Sequence, residues 1–327
     1  MRLQKIIRLL LGTSLIFFLF LQLNPQKIAA VFNSISMIHY TLAVFLCFLG
    51  NYLCSLRWIK ILRPFNQSIS KARYIKIYFE SIAANSILPG GMLGADLWRA
   101  FRVLAESKKG IFNKKQRDKL HKDKKLEFIV ASIICDRAHG FFCLCLIGII
   151  ALLMISTLSN NSEIFLSFNK PYLQYYLYIF LLFSIVTSPF LIKFLFSLSK
   201  KFFLFNKFIL FKIEGFWPNL VTREIFLISL SSQIFFGIGF WFCLCSVGIE
   251  VDLMLLFFLV PGIFLAAAIP LAVAGFGPRE TGALFFLPFL GNNPEQLFVS
   301  SILFGLTSTI IGILTILFNF IFFLKDK

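Results

Sequence analysis

The chain has 327 residues, of which 58% are hydrophobic and only 14% are charged, and its formal net charge is +17. Soluble domains carry about a quarter charged residues, so this composition excludes an ordinary soluble protein and favours an all-α polytopic membrane protein. The basic residues lie between apolar runs rather than on an aromatic-lined platform. The charge therefore indicates membrane topology, and we expect no nucleic-acid partner.

Six apolar segments are long enough to cross a bilayer whose hydrocarbon core is about 30 Å thick. The first follows a basic start and is also compatible with a cleaved signal peptide, but its length and the later spans favour an uncleaved helix. The six predicted spans are Ile6–Leu23, Ile38–Leu56, Phe128–Thr157, Tyr172–Ser199, Glu224–Val247 and Leu297–Leu324.

Two further apolar stretches, Tyr74–Leu104 and Leu253–Leu290, are interrupted by Gly and Pro. Pro removes a helix donor and Gly weakens a helix, so such breaks persist at membrane depth only where protein or water satisfies the backbone. We therefore predict two re-entrant hairpins; the alternative is full crossings, which give eight or more spans. The predicted breaks are at 88–94 in the first stretch and at Pro261-Gly262, Pro270 and 275–278 in the second.

The distribution of basic residues predicts the orientation. A cytoplasmic N-terminus places 25 Lys and Arg residues, Arg57 among them, in cytoplasmic segments and only Lys27 and Lys170 in outer loops. The positive-inside rule then favours a cell (inner or plasma) membrane protein with both termini in the cytoplasm.

The same assignment predicts one transmembrane domain, residues 1–327, with a cytoplasmic basic loop at 106–127. In each half, 1–157 and 172–327, two spans are followed by a hairpin and one more span. Every element of the second half runs in the opposite direction to its counterpart in the first. Inverted repeats of this kind are common in transporters, and we treat the repeat as a hypothesis.

Three polar clusters lie inside the apolar segments, where charge is costly. Asp96 and Arg99 are three residues apart and can pair on one helix face, and the helix start after Gly94 favours an anion. The neighbours Asp136 and Arg137 point in different directions and should reach different partners.

The third cluster is the segment 275–280, a Gly/Pro break that ends in Arg279 and Glu280. Glu280 suits a helix N-terminus, which would leave Arg279 free to meet an anion. The six charges of the three clusters sum to zero, so a buried structural network is the alternative interpretation. We expect Asn51, Gln233 and His139 to form interhelical hydrogen bonds rather than to bind ligands.

These residues resemble the transmembrane region of lysylphosphatidylglycerol synthases, also called the flippase-like domain family. Any one motif is weak, but four in this order are specific, and they extend over nearly the whole chain. Ala95 and Pro278 depart from the pattern and affect the expected loop shape. The motifs are Arg57-Trp58, then Asn85 to Arg99 with Pro89-Gly90, Gly94 and Asp96, then Asp136-Arg137, and Gly275 to Glu280.

The resemblance implies a translocator for an anionic or aminoacylated phospholipid or a polyprenyl-type lipid. The alternative is an accessory protein or enzyme of lipid-linked glycosyl transfer. We expect a transporter rather than an enzyme, without lysyl transfer, with no catalytic residues, metal or cofactor. The expected partners are a lipid with a phosphate headgroup and a glycosyltransferase or lipid synthase, and the oligomeric state stays open. The predicted headgroup-binding residues are Asn85, Pro89, Gly90, Gly94, Asp96, Arg99, Asp136, Arg137, Gly277, Arg279 and Glu280.

Overall fold

The computed structural model describes residues 14, 17–62, 69–87, 92–109, 122–158, 222–268, 275–290 and 293–325. Over these residues the protein is helical and has no strand, as predicted. Residues 17–22 are helical, and the helices that follow in the described ranges are α1 (Pro25–Asn33), α2 (Met37–Leu62), α3 (Lys71–Ile87), α4 (Met92–Lys109), α5 (Lys122–Leu158), α6 (Arg223–Ser246), α7 (Leu253–Ala268), α8 (Pro278–Phe285), α9 (Leu287–Leu290) and α10 (Pro294–Lys325).

Four of these helices, α2, α5, α6 and α10, are long and apolar enough to cross a membrane. In each, only 33% to 44% of the most apolar 18-residue stretch is buried. More than half of the residues in each stretch are therefore at least partly exposed, as expected where lipid is the solvent. These helices match four predicted spans, and the protein is a multi-pass membrane protein. The predicted span Tyr172–Ser199 and most of Ile6–Leu23 lie outside the described residues.

Both predicted broken stretches consist of separate helices. The first comprises α3 and α4, with residues 88–91 between them, and the second comprises α7, α8 and the short α9, with a turn at residues 275–277 before α8. Whether either stretch re-enters the membrane stays a prediction. At its other end α4 continues to Lys109, and α5 begins at Lys122, so both helices extend into the segment 106–127 that we expected to be a loop.

The predicted break at Pro261-Gly262 is wrong, because α7 continues through it. A proline inside a helix removes one hydrogen bond and kinks the axis, but it does not end a helix whose surroundings hold it. Val260, Pro261 and Ile263 are all buried, so packing holds this part of α7 in place.

Each broken stretch packs against a span from the other half of the chain, an arrangement that we call exchanged packing. Helices α2 and α6 form the most extensive contact between elements, and small residues bring them close: Gly50 faces Phe236, and Gly239 faces Cys47. Helix α3 packs along α10, and α7 packs along α5. The first arm of each broken stretch thus lies against a span from the other half of the chain.

The two broken stretches are held together by different contacts. In the first, two half-exposed ion pairs join α3 to α4: Arg73 with Glu106, and Arg102 with Glu80 at 2.9 Å. In the second, Gly282 of α8 lies against Ala266 of α7, where a Cβ atom on the glycine would come within 2.9 Å of the alanine Cβ. Ion pairs therefore join the two arms of the first stretch, and close packing of small residues joins those of the second.

Candidate functional site

A cavity of about 230 Å³ lies between the two broken stretches. Its wall is built from one face of each surrounding helix. On α2, for example, Cys47, Asn51, Cys54 and Arg57 follow one another at spacings of four, three and three residues, which places them on one side of the helix. The remaining described lining residues are Tyr78, Ser81, Ile82, Asn85, Ala95, Arg99, Arg137, Gly140, Phe141, Leu144, Gln233, Phe236, Phe264, Ala267, Gly275, Arg279, Phe304, Thr307 and Ser308.

Four arginines line this cavity: Arg57 from α2, Arg99 from α4, Arg137 from α5 and Arg279 from α8. Each comes from a different helix, so the cavity collects guanidinium groups that lie far apart in sequence. Arg57, Arg99 and Arg279 are at most 4% exposed. A buried cation must be compensated by a nearby anion or hydrogen-bond acceptor, and three carboxylates supply part of that compensation.

Asp136 compensates two of the arginines. Arg57 donates from Nε to Asp136 Oδ1 at 2.7 Å, and Arg99 donates from Nη1 to Asp136 Oδ2 at 3.5 Å. Arg57 also donates from Nη1 to the Ser229 hydroxyl at 3.3 Å, which ties α2 to α6 as well as to α5. Asp136 is fully buried, so this carboxylate is committed to the guanidinium groups.

Asp96 compensates Arg137 and, together with Asp136, also Arg99. Arg137 donates from Nη2 to Asp96 Oδ1 at 2.9 Å, and Arg99 pairs with the same carboxylate from one turn along α4. The Asp96–Arg99 pair was predicted from its spacing. The prediction that Asp136 and Arg137 reach different partners is also confirmed, since they bind Arg57 and Asp96 respectively.

The fourth arginine, Arg279 on α8, pairs with its neighbour Glu280, with Nη2 to Oε1 at 2.8 Å. The expectation that Arg279 would be free of Glu280 is therefore wrong. The Glu280 carboxylate both accepts from the Gly277 backbone N–H at 2.5 Å, closing the first turn of α8, and reaches back to the guanidinium group. Ser301 on α10 completes the set by accepting from Arg279 at 3.3 Å.

Two glycines make room for buried arginines. A Cβ atom on Gly140 would lie 3.2 Å from Arg57 Nη1, and one on Gly305 would lie 2.8 Å from Arg279 Cζ and overlap its Nη2. Gly140 is four residues after Asp136, and Gly305 is four residues after Ser301. On both α5 and α10, a glycine one turn after a hydrogen-bonding side chain therefore leaves space for an arginine.

Aromatic rings cover two of the arginines. The Arg99 guanidinium carbon lies 5.1 Å from the ring centre of Trp58 and 5.0 Å from that of Tyr78. Arg279 lies 5.0 Å from the ring of Phe276. Such contacts favour a cation in a site with little water.

The charges of this site do not cancel. Four arginines and three carboxylates (Asp96, Asp136 and Glu280) leave one positive charge in excess among the described residues. Within the same residues, Arg99 Nε is a buried donor without a hydrogen-bond partner, and Asn85 Oδ1 is a buried oxygen without one. An uncompensated buried cation next to an unused donor favours the binding of an anion.

The predicted site residues divide into four groups. Asn85, Arg99, Arg137 and Arg279 line the cavity, while the three carboxylates are not among its lining residues but pair with the arginines. Gly94 is buried in the first turn of α4, which begins at Met92 rather than after Gly94, and Gly277 caps α8 with a φ of 98°. Pro89 and Gly90 lie outside the described residues.

The sequence reasoning missed several polar residues of this wall, among them Arg57, Asn51 and Gln233. Arg57 was counted as a cytoplasmic charge, but α2 continues to Leu62 and buries it. Asn51 and Gln233 also line the cavity, and Asn51 donates within its own helix to the Cys47 carbonyl at 2.8 Å rather than across to another helix. Helix spacing places Asn51 and Arg57 on one face of α2, but it does not show that Arg57 is buried, because its partner Asp136 is 79 residues away.

No group of three or more potential metal ligands occurs among the described residues. The cysteines are unpaired thiols, six of them buried and Cys245 half-buried.

Residues 5–315 match the family model described as Lysylphosphatidylglycerol synthase TM region. Neither the curated proteins nor the solved structures include a match to the chain.

Proposed function

We propose that this chain, which belongs to the lysylphosphatidylglycerol synthase transmembrane-region family, moves a phosphate-bearing lipid across the membrane by holding its headgroup in the four-arginine cavity. The observation that supports this most is the excess positive charge in that cavity. A phosphate diester carries one negative charge and would neutralise it. Guanidinium groups also bind phosphate oxygens through paired N–H donors, which suits this ligand.

The exposed face of α4 favours a lipid over a soluble anion. Leu97 is 59% exposed and Phe101 is 65% exposed, while Arg99, which lies on the opposite face of this helix, is buried. Acyl chains would lie along the exposed apolar face of α4 while the headgroup reaches the cavity on its buried face. The exposed apolar surfaces of the four long helices would surround such a lipid with further apolar contacts.

The exchanged packing supports a transport mechanism. The first arm of each broken stretch lies against a span from the other half. If one half of the protein rotates relative to the other, the hairpins and the arginines that they carry move relative to the cavity. Asp96 and Asp136 hold the arginines of the first half on one side, and Glu280 holds Arg279 on the other. In this mechanism the headgroup exchanges between the two sets of arginines as the halves move.

An enzyme of lipid-linked glycosyl transfer is supported less well. It would need a free acid or base, and in the described part of the chain the three carboxylates closest to the cavity each bind one or two arginines. We place the protein in the cell membrane with both termini in the cytoplasm, because that orientation keeps 24 basic residues inside even when the buried Arg57 is left out of the count.

The test is lipid scrambling in liposomes with a matched pair of variants on α4. Arg99→Gln removes a guanidinium of the cavity, whereas Arg102→Gln removes one that is half-exposed, binds Glu80 and does not line the cavity. Asp96 and Asp136 keep Arg137 and Arg57 in the Arg99→Gln protein, so it should fold.

We expect Arg99→Gln to slow scrambling of a phosphatidylglycerol probe by about tenfold to a hundredfold, the loss of one or two charge-assisted hydrogen bonds. Arg102→Gln should retain most of the wild-type rate. Equal rates in both variants, with both proteins folded, would contradict the proposed role of the cavity.

A further inference from the structure

We propose that the cavity selects a headgroup made of one phosphate and a neutral, hydroxyl-bearing moiety, such as glycerol or a sugar, and discriminates against aminoacylated headgroups. This inference rests on the proposed function and specifies its substrate class. The sequence left open both an anionic and an aminoacylated headgroup, and the charges on the cavity wall favour the first over the second.

The described wall offers no counter-ion to an amine. Among the described lining residues the charged side chains are the four arginines, and there is no Asp or Glu. The three nearby carboxylates are not among the described lining residues and are already paired with those arginines. A cationic headgroup would therefore add positive charge to a site that already has an excess of one.

The rest of the polar wall is neutral and suits hydroxyl groups. Asn51, Asn85 and Gln233 supply amides, and Ser81, Thr307 and Ser308 supply hydroxyls. Ser81 and Thr307 donate to carbonyls of their own helices at 2.6 and 2.7 Å, so their oxygens remain available as acceptors. The unpaired Asn85 Oδ1 is a further acceptor.

The size of the cavity agrees with this chemistry. Its volume of about 230 Å³ is below the roughly 300–1,000 Å³ of pockets for drug-sized ligands. A phosphate with a small polyol is compact, whereas an added lysyl or similar group lengthens the headgroup by a flexible chain that carries the disfavoured charge.

The experiment compares headgroups in proteoliposomes that contain the full chain. The probes are tail-labelled phosphatidylglycerol and tail-labelled lysylphosphatidylglycerol, and the measured quantity is the ratio of their scrambling rates. We expect phosphatidylglycerol to move at least about tenfold faster, because a like charge within several ångströms of a guanidinium is repelled even at an effective dielectric constant near 20.

The outcomes separate this inference from the proposed function. Equal rates, or a faster lysyl lipid, would overturn the headgroup selectivity and leave translocation intact. If neither lipid moves, the proposed function fails and this inference fails with it. Uptake of soluble glycerol phosphate into the same liposomes, without lipid movement, would identify a soluble anion as the ligand and overturn both.

A variant of the neutral wall tests the cause of the selectivity. Asn85→Asp places a carboxylate among the lining residues and should shift the rate ratio about tenfold toward the lysyl lipid. Asn85→Leu is the matched control: it removes the acceptor without adding charge, so it should slow phosphatidylglycerol without favouring the lysyl lipid. A ratio that is the same in both folded variants would contradict the electrostatic explanation.

Discussion

The Arg57–Asp136 pair provides the sharpest test of the buried charge network. The Asp136→Asn substitution removes the carboxylate that binds both Arg57 and Arg99, which are 3% and 1% exposed. Of its side-chain partners among the described residues, Arg57 would keep the Ser229 hydroxyl. Breaking a buried ion pair from one side typically costs about 3–5 kcal/mol, because the remaining charge stays buried without its partner.

The expected thermal shift follows from that cost. At roughly 2–4 °C per kcal/mol for a protein of this size class, the midpoint should fall by about 6–20 °C. The double variant Arg57→Met/Asp136→Leu removes both charges and should recover most of the loss, since buried pairs are replaceable by apolar residues at little cost. It should not recover transport, because a lining guanidinium is gone.

The assay can use the chain's own thiols. Six of the seven cysteines are buried, so a thiol-reactive dye reports unfolding in detergent directly. Glu224→Gln is the control: it removes the exposed partner of Lys60, which is three residues after Arg57 on the same helix, and should leave the midpoint unchanged. If Asp136→Asn behaves like this control, or if the double variant is as unstable as the single one, the argument for a buried ion pair is refuted.

Two further predictions concern the glycines that make room for buried arginines, and the topology. Gly305→Ala should reduce lipid scrambling more than Gly140→Ala. The new methyl group would overlap the Arg279 guanidinium in the first variant and only touch that of Arg57 in the second. Equal scrambling rates in the two folded variants would show that the position of Arg279 is unimportant for transport. For the topology, impermeant thiol reagents should label Pro89→Cys from the cytoplasmic side and Phe276→Cys from the outer side if both broken stretches are re-entrant, whereas labelling of both from the reverse sides would show that each stretch crosses twice.

Much of the fold could be predicted because hydropathy and length determine where a helix can span. The four long helices and the breaks after Ile87 and before Pro278 follow from apolar runs and from Pro and Gly. Pro261 could not be judged in the same way. Its effect depends on packing that the local sequence does not contain, and burial kept the helix continuous there.

The site was predictable where its contacts are local. The Asp96–Arg99 pair and the divergence of Asp136 and Arg137 follow from helix geometry. Arg57 was missed because it follows an apolar run and looks like a flanking charge, and its partner is 79 residues away. Arg279 was wrongly expected to be free because its neighbour's carboxylate serves both the helix cap and the guanidinium group.

The exchanged packing has a consequence for biosynthesis. The helix α3 is made well before α10, the span against which it packs, so the first broken stretch is synthesised before its final neighbour. During that interval its two arms still have the Arg73–Glu106 and Arg102–Glu80 pairs, which need no residue from the second half. The arginine cavity, by contrast, has a complete wall only after α10 has been made, because Phe304, Thr307 and Ser308 come from that helix.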